Sequence, residues 1–214
     1  MPKVHFVKKA RKDHPPDIKK GESYYHWKFR YGGIRRSKTR PKPSQLTQSE
    51  FLSQLYDLQE RRDAVCEHGP TDDFDSFKTE IEDIADEIES LGEECSEKHD
   101  NMPEQLQDGD VGQLLEERAS RCEDMAQELR DAVECSGAED YDPEADVLLE
   151  CPHCKDESHF PVEFRGAYNC TECEKDFHVT DEMMNEELEK RQQEYEDSVQ
   201  SAIDEIEGVD MDCD

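Results

Sequence analysis

Apolar residues are scarce in this sequence. They make up 33% of its 214 positions, and counting the 10 glycines raises the share to roughly 38%, short of the ~45–50% of an ordinary globular domain. That shortage argues against a single large hydrophobic core. No stretch approaches the ~18 consecutive apolar residues of a spanning helix, which excludes a helical membrane protein. The N-terminus lacks the apolar run of a secretory signal, so the chain is expected to work in the cytoplasm. Also missing are a Gly-rich phosphate loop, a Gly-x-Ser-x-Gly elbow and a His-Glu-x-x-His helix. Carboxylates are too abundant for any pair to stand out, and thin helical layers seldom provide the pocket that shifts a catalytic pKa. The expectation is a protein that is not an enzyme.

Basic residues are short overall and unevenly placed. The chain has 57 acidic and 26 basic residues, a formal charge of −31. Residues 1–43 hold 14 Lys/Arg against 3 Asp/Glu, a net of +11, whereas the other 171 residues hold 12 against 54, a net of −42. A basic head joined to an acidic body points to polyanion contacts by the head. The plain alternative is a solubilised body whose head happens to be basic.

The head, 1–43, reads as a small antiparallel sheet. Lys3 to Val7 suits a short first strand, followed by a polar loop through Pro15 and Pro16. Tyr25, Trp27, Phe29 and Tyr31 then alternate with His26, Lys28 and Arg30 at the period of a strand. Gly32-Gly33 suits a two-residue hairpin turn with positive φ, and Ile34 to Thr39 would return. That register sets Tyr31 against Ile34, Phe29 against Arg36 and Trp27 against Lys38, with His26, Lys28, Arg30 and Arg35 on the opposite face. An isolated hairpin is marginal, so the aromatic face should dock on the next segment, 44–68. Phe51, Leu55 and Leu58 recur there at helical spacing, and Ser44 or Thr47 could cap the helix, Thr47 with Glu50 as a capping box. Gly69-Pro70 should end it.

Segment 72–136 is expected to be an acidic helical hairpin. Phe74, Phe77, Ile81, Ile84, Ile88, Leu91 and Cys95 follow one another at alternating steps of three and four, a heptad stripe of coiled-coil type. Asn101, Pro103 and Gly109 mark a turn. A less regular stripe follows at Val111, Leu115, Arg118, Cys122, Met125, Leu129 and Ala132. A short loop favours antiparallel helices, and the stripes would permit self-association. Residues 137–143 should break this stalk. Thr180 should cap a last acidic helix over 180–207, with Leu188, Tyr195, Val199, Ala202 and Ile206 on one side, and 208–214 should be a frayed tail. The fold class is α+β, mostly α.

Nine cysteines without a signal peptide favour metal binding over a disulfide framework. Cys151-Pro-His-Cys154 and Cys170-Thr-Glu-Cys173 lie 15 residues apart, two thiolate pairs suited to one tetrahedral ion. Structural Zn²⁺ is the first choice, because four sulfurs leave no open catalytic position. A rubredoxin-type iron centre and redox disulfides are the alternatives. Phe160, Val162 and Phe164 alternate before Arg165-Gly166, so the interval reads as one hairpin. Residues 148–179 resemble the zinc ribbon family, with Glu174 where many ribbons have glycine. His153, His159 and His178 are expected near the metal without ligating it. Cys95 and Cys122 read as small apolar residues, Cys66 and Cys135 as reduced thiols at helix ends, and Cys213 carries no signal.

The order of strand, hairpin and helix in the head, with Tyr24-Tyr25-His26-Trp27-Lys28-Phe29-Arg30-Tyr31-Gly32-Gly33-Ile34-Arg35-Arg36, is similar to the AP2-like arm-type DNA-binding domains of phage integrases. That resemblance covers about a quarter of the chain. It implies a sheet that enters the major groove, with Lys28, Arg30 and Arg35 as contacts. The recombinase domain is absent, so recombinase activity is not implied. The make-up also looks like a small phage protein, for which the compartment would be the host cytoplasm.

These features favour a non-enzymatic accessory or adaptor protein of phage type, associated with DNA or RNA. His26, Lys28, Arg30, Arg35, Arg36, Lys38 and Trp27 are its candidate nucleic-acid contacts, the ribbon is a structural module, and the acidic helices recruit a protein. The alternative is a structural or interaction protein whose acidic helices dock on a basic partner, mimicking the charge of DNA, with no nucleic-acid role. Neutralisation of head by body, within a chain or across a homo-oligomer, is a third arrangement.

Overall fold

The computed structural model describes residues 1–14, 17–70, 74–134, 138, 141–142 and 144–213. The chain is α+β and mostly α, as its composition and patterning implied. It divides into two units. The first comprises Met1–His68, Thr79–Arg130 and Val209–Asp214; the second comprises Gly69–Lys78 and Asp131–Gly208.

In the first unit, β1 (His5–Val7), β2 (Tyr24–Lys28) and β3 (Ile34–Ser37) form an antiparallel sheet in that order. The hairpin register differs from the expected one by three residues: Trp27 faces Arg35, His26 faces Arg36 and Lys28 faces Ile34. Phe29 causes the shift. It leaves the strand and is only 7% exposed, so β2 stops at Lys28 and residues 29–33 form the loop. Gly32 and Gly33 do not take positive φ. Gly32 is needed instead for close approach, since a Cβ there would lie 3.2 Å from Phe29 Cβ and 3.3 Å from Gln48 Nε2. Tyr31, expected on the docked face, is 84% exposed.

A 3-10 turn at Pro43–Leu46 precedes α1 (Glu50–His68). The cap is Ser49 rather than Ser44 or Thr47: Ser49 Oγ accepts from the Leu52 amide at 3.4 Å, while Thr47 Oγ1 accepts from the Ser49 amide at 3.1 Å. Thr47 is spent on the turn before the helix, so the Thr47–Glu50 capping box does not form. Leu55 and Leu58 are buried, and Gly69 ends the helix at φ +62°, the left-handed stop that glycine makes without strain.

The heptad stripe of α2 (Phe74–Asp100) is buried at every position from Phe74 to Cys95. The turn contains a short α3 (Glu104–Gln107) before α4 (Asp110–Glu134). Cys122, Met125 and Leu129 are buried as expected, but Val111 is 62% exposed. Gly112 turns inward in its place, where a Cβ would collide with the carbonyl of Gln107. α2 and α4 run antiparallel: Gly92 lies against Ala119 and Cys122, while Arg130 reaches back to Asp86 and Glu89. A Cβ on Gly92 would come within 2.9 Å of Cys122 Cβ, so this glycine sets how closely the helices approach. The end of the chain is docked rather than frayed, because Val209 and Met211 are buried and Arg62 and Arg121 hold the backbone.

In the second unit, β4 (Val147–Glu150) pairs with β5 (Glu157–Phe160), and β6 (Gly166–Asn169) with β7 (Asp176–Val179). α5 (Asp181–Gly208) follows, with Thr180 Oγ1 accepting from the Met183 amide at 3.4 Å as its cap. Val147, Leu149, Phe160, Phe177, Val179 and Met184 form a small core, which joins α5 to the hairpins. The expected break at 137–143 and Cys135 lie largely or wholly outside the described residues.

Candidate metal centre and basic sheet face

The two Cys-x-x-Cys pairs sit in the turns of two separate hairpins, β4–β5 and β6–β7, rather than flanking one hairpin as expected. Placing each thiol pair in a turn lets the two hairpins present four sulfurs to a common point. The turns share one backbone design. The amide of Lys155 donates to Cys151 O at 2.9 Å, and that of Glu174 to Cys170 O at 2.9 Å; the amide of Cys151 donates to Asp156 O at 2.8 Å, and that of Cys170 to Lys175 O at 3.1 Å. Each turn needs one left-handed residue after its second cysteine, and Lys155 (φ 66°) and Glu174 (φ 56°) fill those places. Glu174 thus takes the conformation glycine would supply without strain.

The four sulfurs lie within 4.8 Å of one another. Cys151 Sγ is 3.8 Å from Cys173 Sγ, and Cys154 Sγ is 3.6 Å from Cys170 Sγ. A tetrahedron of thiolates around an ion with bonds of ~2.3 Å has edges of about 3.8 Å, so the cluster is compatible with a metal-binding module. Cys151 and Cys170 are buried, Cys173 is half-buried and Cys154 is exposed. Burial pushes the Cys151 thiol up, but the amides of His153 and Cys154 outweigh it and hold the thiol at about 6. The Asp156 amide favours the Cys154 thiolate, yet burial and the neighbouring sulfurs push that thiol up to about 12. One thiolate therefore forms first and discourages the rest, a repulsion that a divalent cation would reverse. Phe160, Tyr168 and Phe177 pack edge-to-face beneath the turns at 4.9–6.3 Å. His153, His159 and His178 are exposed and outside the cluster.

The sheet of the first unit has two unlike faces. Trp27 and Tyr25 lie on one, with Arg35 opposite Trp27. On the other, β1–β3 bring together His5, His26, Lys28 and Arg36. His5 and His26 stack at 5.1 Å, Tyr24 lies 6.0 Å from His26, and His14 lies 5.4 Å from Tyr24. Burial holds the His14 pKa below its usual 6.5, and Arg36 and Lys12 depress it further. Among the described residues, Lys28 and Arg36 make no ion pair.

The candidate contacts separate accordingly. His26, Lys28 and Arg36 share the outer face. Arg35 lies on the other face, its guanidinium 5.3 Å from the Phe29 ring, and Arg30 sits in the loop over Tyr31 at 5.2 Å. Lys38 pairs with Glu22 at 3.2 Å. Trp27 is 3% exposed and serves the core, so it offers no ring for stacking. The sequence pattern does not single out His5, His14 or Tyr24 as site residues. The alternation of β1 carries a signal for His5, whereas His14 reaches the face through a β-bridge to Ile18 that no periodicity marks.

No family model matches this sequence, and neither a curated protein nor a solved structure matches it. No likeness of the head to AP2-like domains, or of the whole chain to phage proteins, is shown by these comparisons. No helix among the described residues is long and apolar enough to cross a membrane.

Proposed function

We propose that this protein is a non-enzymatic nucleic-acid-associated accessory protein, built from a basic sheet that holds phosphates and a zinc-stabilised module. The observation that carries the reading is the outer sheet face, where His26, Lys28 and Arg36 converge, with His5 stacked on His26 and the rings of Tyr24 and His14 beside them. Unpaired cations attract phosphates, and partly exposed rings accept unstacked bases. Zn²⁺ suits the four thiolates and their spacing, and its role is to fold residues 147–179.

The test is a fluorescence-anisotropy titration of the full chain with a labelled single strand and a labelled duplex, over a range of salt concentrations. Affinity should fall linearly on logarithmic axes as salt rises. Absence of binding to both at low salt defeats the proposal. Metal analysis, with an absorption spectrum to separate colourless zinc from iron–thiolate, tests the metal assignment.

One observation favours the second reading, an acidic protein-docking body. A groove of about 640 Å³ between α2 and α4 is lined by Glu89, Glu93, Glu97, Asp100, Glu116 and Glu123 over a floor of Gly92, Ser96, Ala119 and Ser120. Competition by the full chain against DNA for a basic protein, unaffected by Lys28→Ala/Arg36→Ala, is the result that would favour it.

A further inference from the structure

Three cysteines outside the metal centre meet in the first unit. Cys122 on α4 and Cys95 on α2 are buried, and Cys213 is half-buried. The thiols of Cys122 and Cys213 are hydrogen-bond partners, and Cys95 lies close enough to both for their charges to interact. The chain end is held there by specific contacts. Arg62 Nη1 donates to Val209 O at 2.8 Å, and Arg121 Nη2 donates to Asp210 O at 2.9 Å and stands 3.3 Å from Asp210 Oδ2. The Asp212 amide donates to Asp210 Oδ1 at 3.1 Å, folding the segment back, and Val209 and Met211 are buried on either side of Asp210. Arg62 on α1, Arg121 next to Cys122 on α4 and two apolar anchors thus hold residues 209–212, the segment that leads to Cys213, although it is far from Cys122 in sequence.

We propose that Cys122 and Cys213 are a peroxide-oxidised dithiol whose disulfide fastens the chain end to α4. The two sulfurs have unequal roles. The hydrogen bond from Cys122 holds the Cys213 thiol below its usual value against the effect of burial, and Arg121 and Arg118 add to this. That same hydrogen bond, with burial, pushes the Cys122 thiol up. Burial likewise raises Cys95, leaving it the poorer nucleophile. Cys213 is therefore the attacking thiolate and Cys122 the resolving thiol.

In the first step the Cys213 thiolate attacks one oxygen of hydrogen peroxide. The O–O bond breaks, the departing hydroxide takes a proton to become water, and Cys213 becomes a sulfenic acid. Cys122 then loses its proton and attacks Cys213 Sγ. The S–O bond breaks, and the leaving hydroxide with that proton forms a second water. Two thiols and one peroxide yield one disulfide and two waters, peroxide being the oxidant reduced.

The experiment uses the full chain loaded with zinc, so that the four ribbon thiols are shielded. It is treated with a small excess of hydrogen peroxide, alkylated, and digested without reduction for mass spectrometry. The expected product is a cross-link of Cys122 to Cys213, lighter by two hydrogens and reversed by dithiothreitol, with an upward shift in the unfolding midpoint. Cys213→Ser, at a half-buried position that tolerates a hydroxyl, should fold normally and lose both the cross-link and the shift. Dominant pairing of Cys213 with Cys95 overturns the proposal. So does a Cys213 sulfenic acid that persists unresolved, or oxidation confined to the ribbon cysteines. Cross-linking that is as fast in denaturant as in buffer overturns the role assigned to the docked chain end. None of these outcomes depends on nucleic-acid binding.

Discussion

His26 and Arg36 stand directly opposite one another across β2 and β3, so their side chains leave the sheet on the same face. Arg35, one residue earlier, leaves on the other. For the proposed nucleic-acid contact, this pairing decides which arginine a phosphate backbone would meet. If the outer face is the binding surface, Lys28→Ala/Arg36→Ala should weaken binding and lower the logarithmic salt slope by about 2, roughly one for each phosphate that is no longer neutralised. Arg35→Ala should change the slope little, since Arg35 lies over Phe29. Anisotropy titrations at four or more salt concentrations measure both; a larger effect from Arg35 would move the binding surface to the other face.

His14 would link the proposed binding to pH. Its pKa lies below 6.5 because of burial and of Arg36 and Lys12. A bound phosphate opposes those two cations and raises the His14 pKa, so binding takes up a proton and affinity should rise as pH falls through this range. Stability has the opposite dependence. A histidine with a depressed folded-state pKa contributes no penalty above the unfolded value. It destabilises the fold as pH drops below about 6.5, and the loss levels off beneath the folded-state pKa. His14→Gln should flatten the pH dependence of both affinity and the denaturant midpoint. An unchanged affinity profile would remove His14 from the interface.

Trp27 is the only tryptophan and is 3% exposed. Its fluorescence should be blue-shifted and poorly quenched by acrylamide, and oligonucleotide should leave it nearly unchanged. Trp27→Ala should cost about 3–5 kcal/mol of stability, the usual penalty for emptying an aromatic core position. Emission quenched by bound oligonucleotide would show that Trp27 is a stacking residue after all.

The difference between what could and could not be read from the sequence has local physical causes. The cluster of Cys151, Cys154, Cys170 and Cys173 was legible because the two Cys-x-x-Cys pairs set residue types at short spacings, and the structure gathers those four sulfurs. The α2 stripe was legible because burial imposes a period that polar neighbours do not share. The hairpin register was not, because alternation continues through Phe29 and Tyr31 although the strand ends at Lys28. Only the room around Phe29, with Gly32 and Gln48 closing over it, turns the chain there. Misplacing that turn by an odd number of residues exchanges the faces, so alternation alone puts Arg35 on the face that Arg36 occupies. The docking of Cys213 was equally hidden, since it depends on Arg62 and Arg121, distant in sequence.

Metal uptake offers a proton count. At pH 7 the Cys151 thiol, at about 6, is already mostly ionised, whereas Cys154, at about 12, still holds its proton and Cys173 is raised as well. Zinc binding by four thiolates should therefore release the protons still held by the thiols other than Cys151, and affinity should fall as pH is lowered. Calorimetry in buffers of different ionisation enthalpy measures that number. Cys154→Ser should lower zinc affinity and unfold the 147–179 module while leaving α2 and α4 helical by circular dichroism. Zinc content unchanged in a Cys151→Ser/Cys170→Ser variant would overturn the site itself.

The left-handed residues that follow each thiol pair provide a separate test of the turns. Lys155 and Glu174 sit at φ 66° and 56°, where a side chain costs roughly 1–2 kcal/mol relative to glycine. Glycine relieves that strain but gives back entropy to the unfolded chain. Glu174→Gly should thus raise the stability of the zinc-bound module by a net ~0.5–1 kcal/mol, with no loss of zinc. Glu174→Val should do the reverse, because a β-branched side chain is least tolerated there. Because Asn169 Nδ2 donates both to Glu174 O at 3.3 Å and to Asp176 Oδ1 at 2.7 Å, the backbone of this turn stays anchored in either variant. The comparison therefore isolates the conformational preference of one residue. Thermal unfolding in the presence of excess zinc measures it, and equal midpoints for the glycine and valine variants would mean that the turn is not left-handed at position 174.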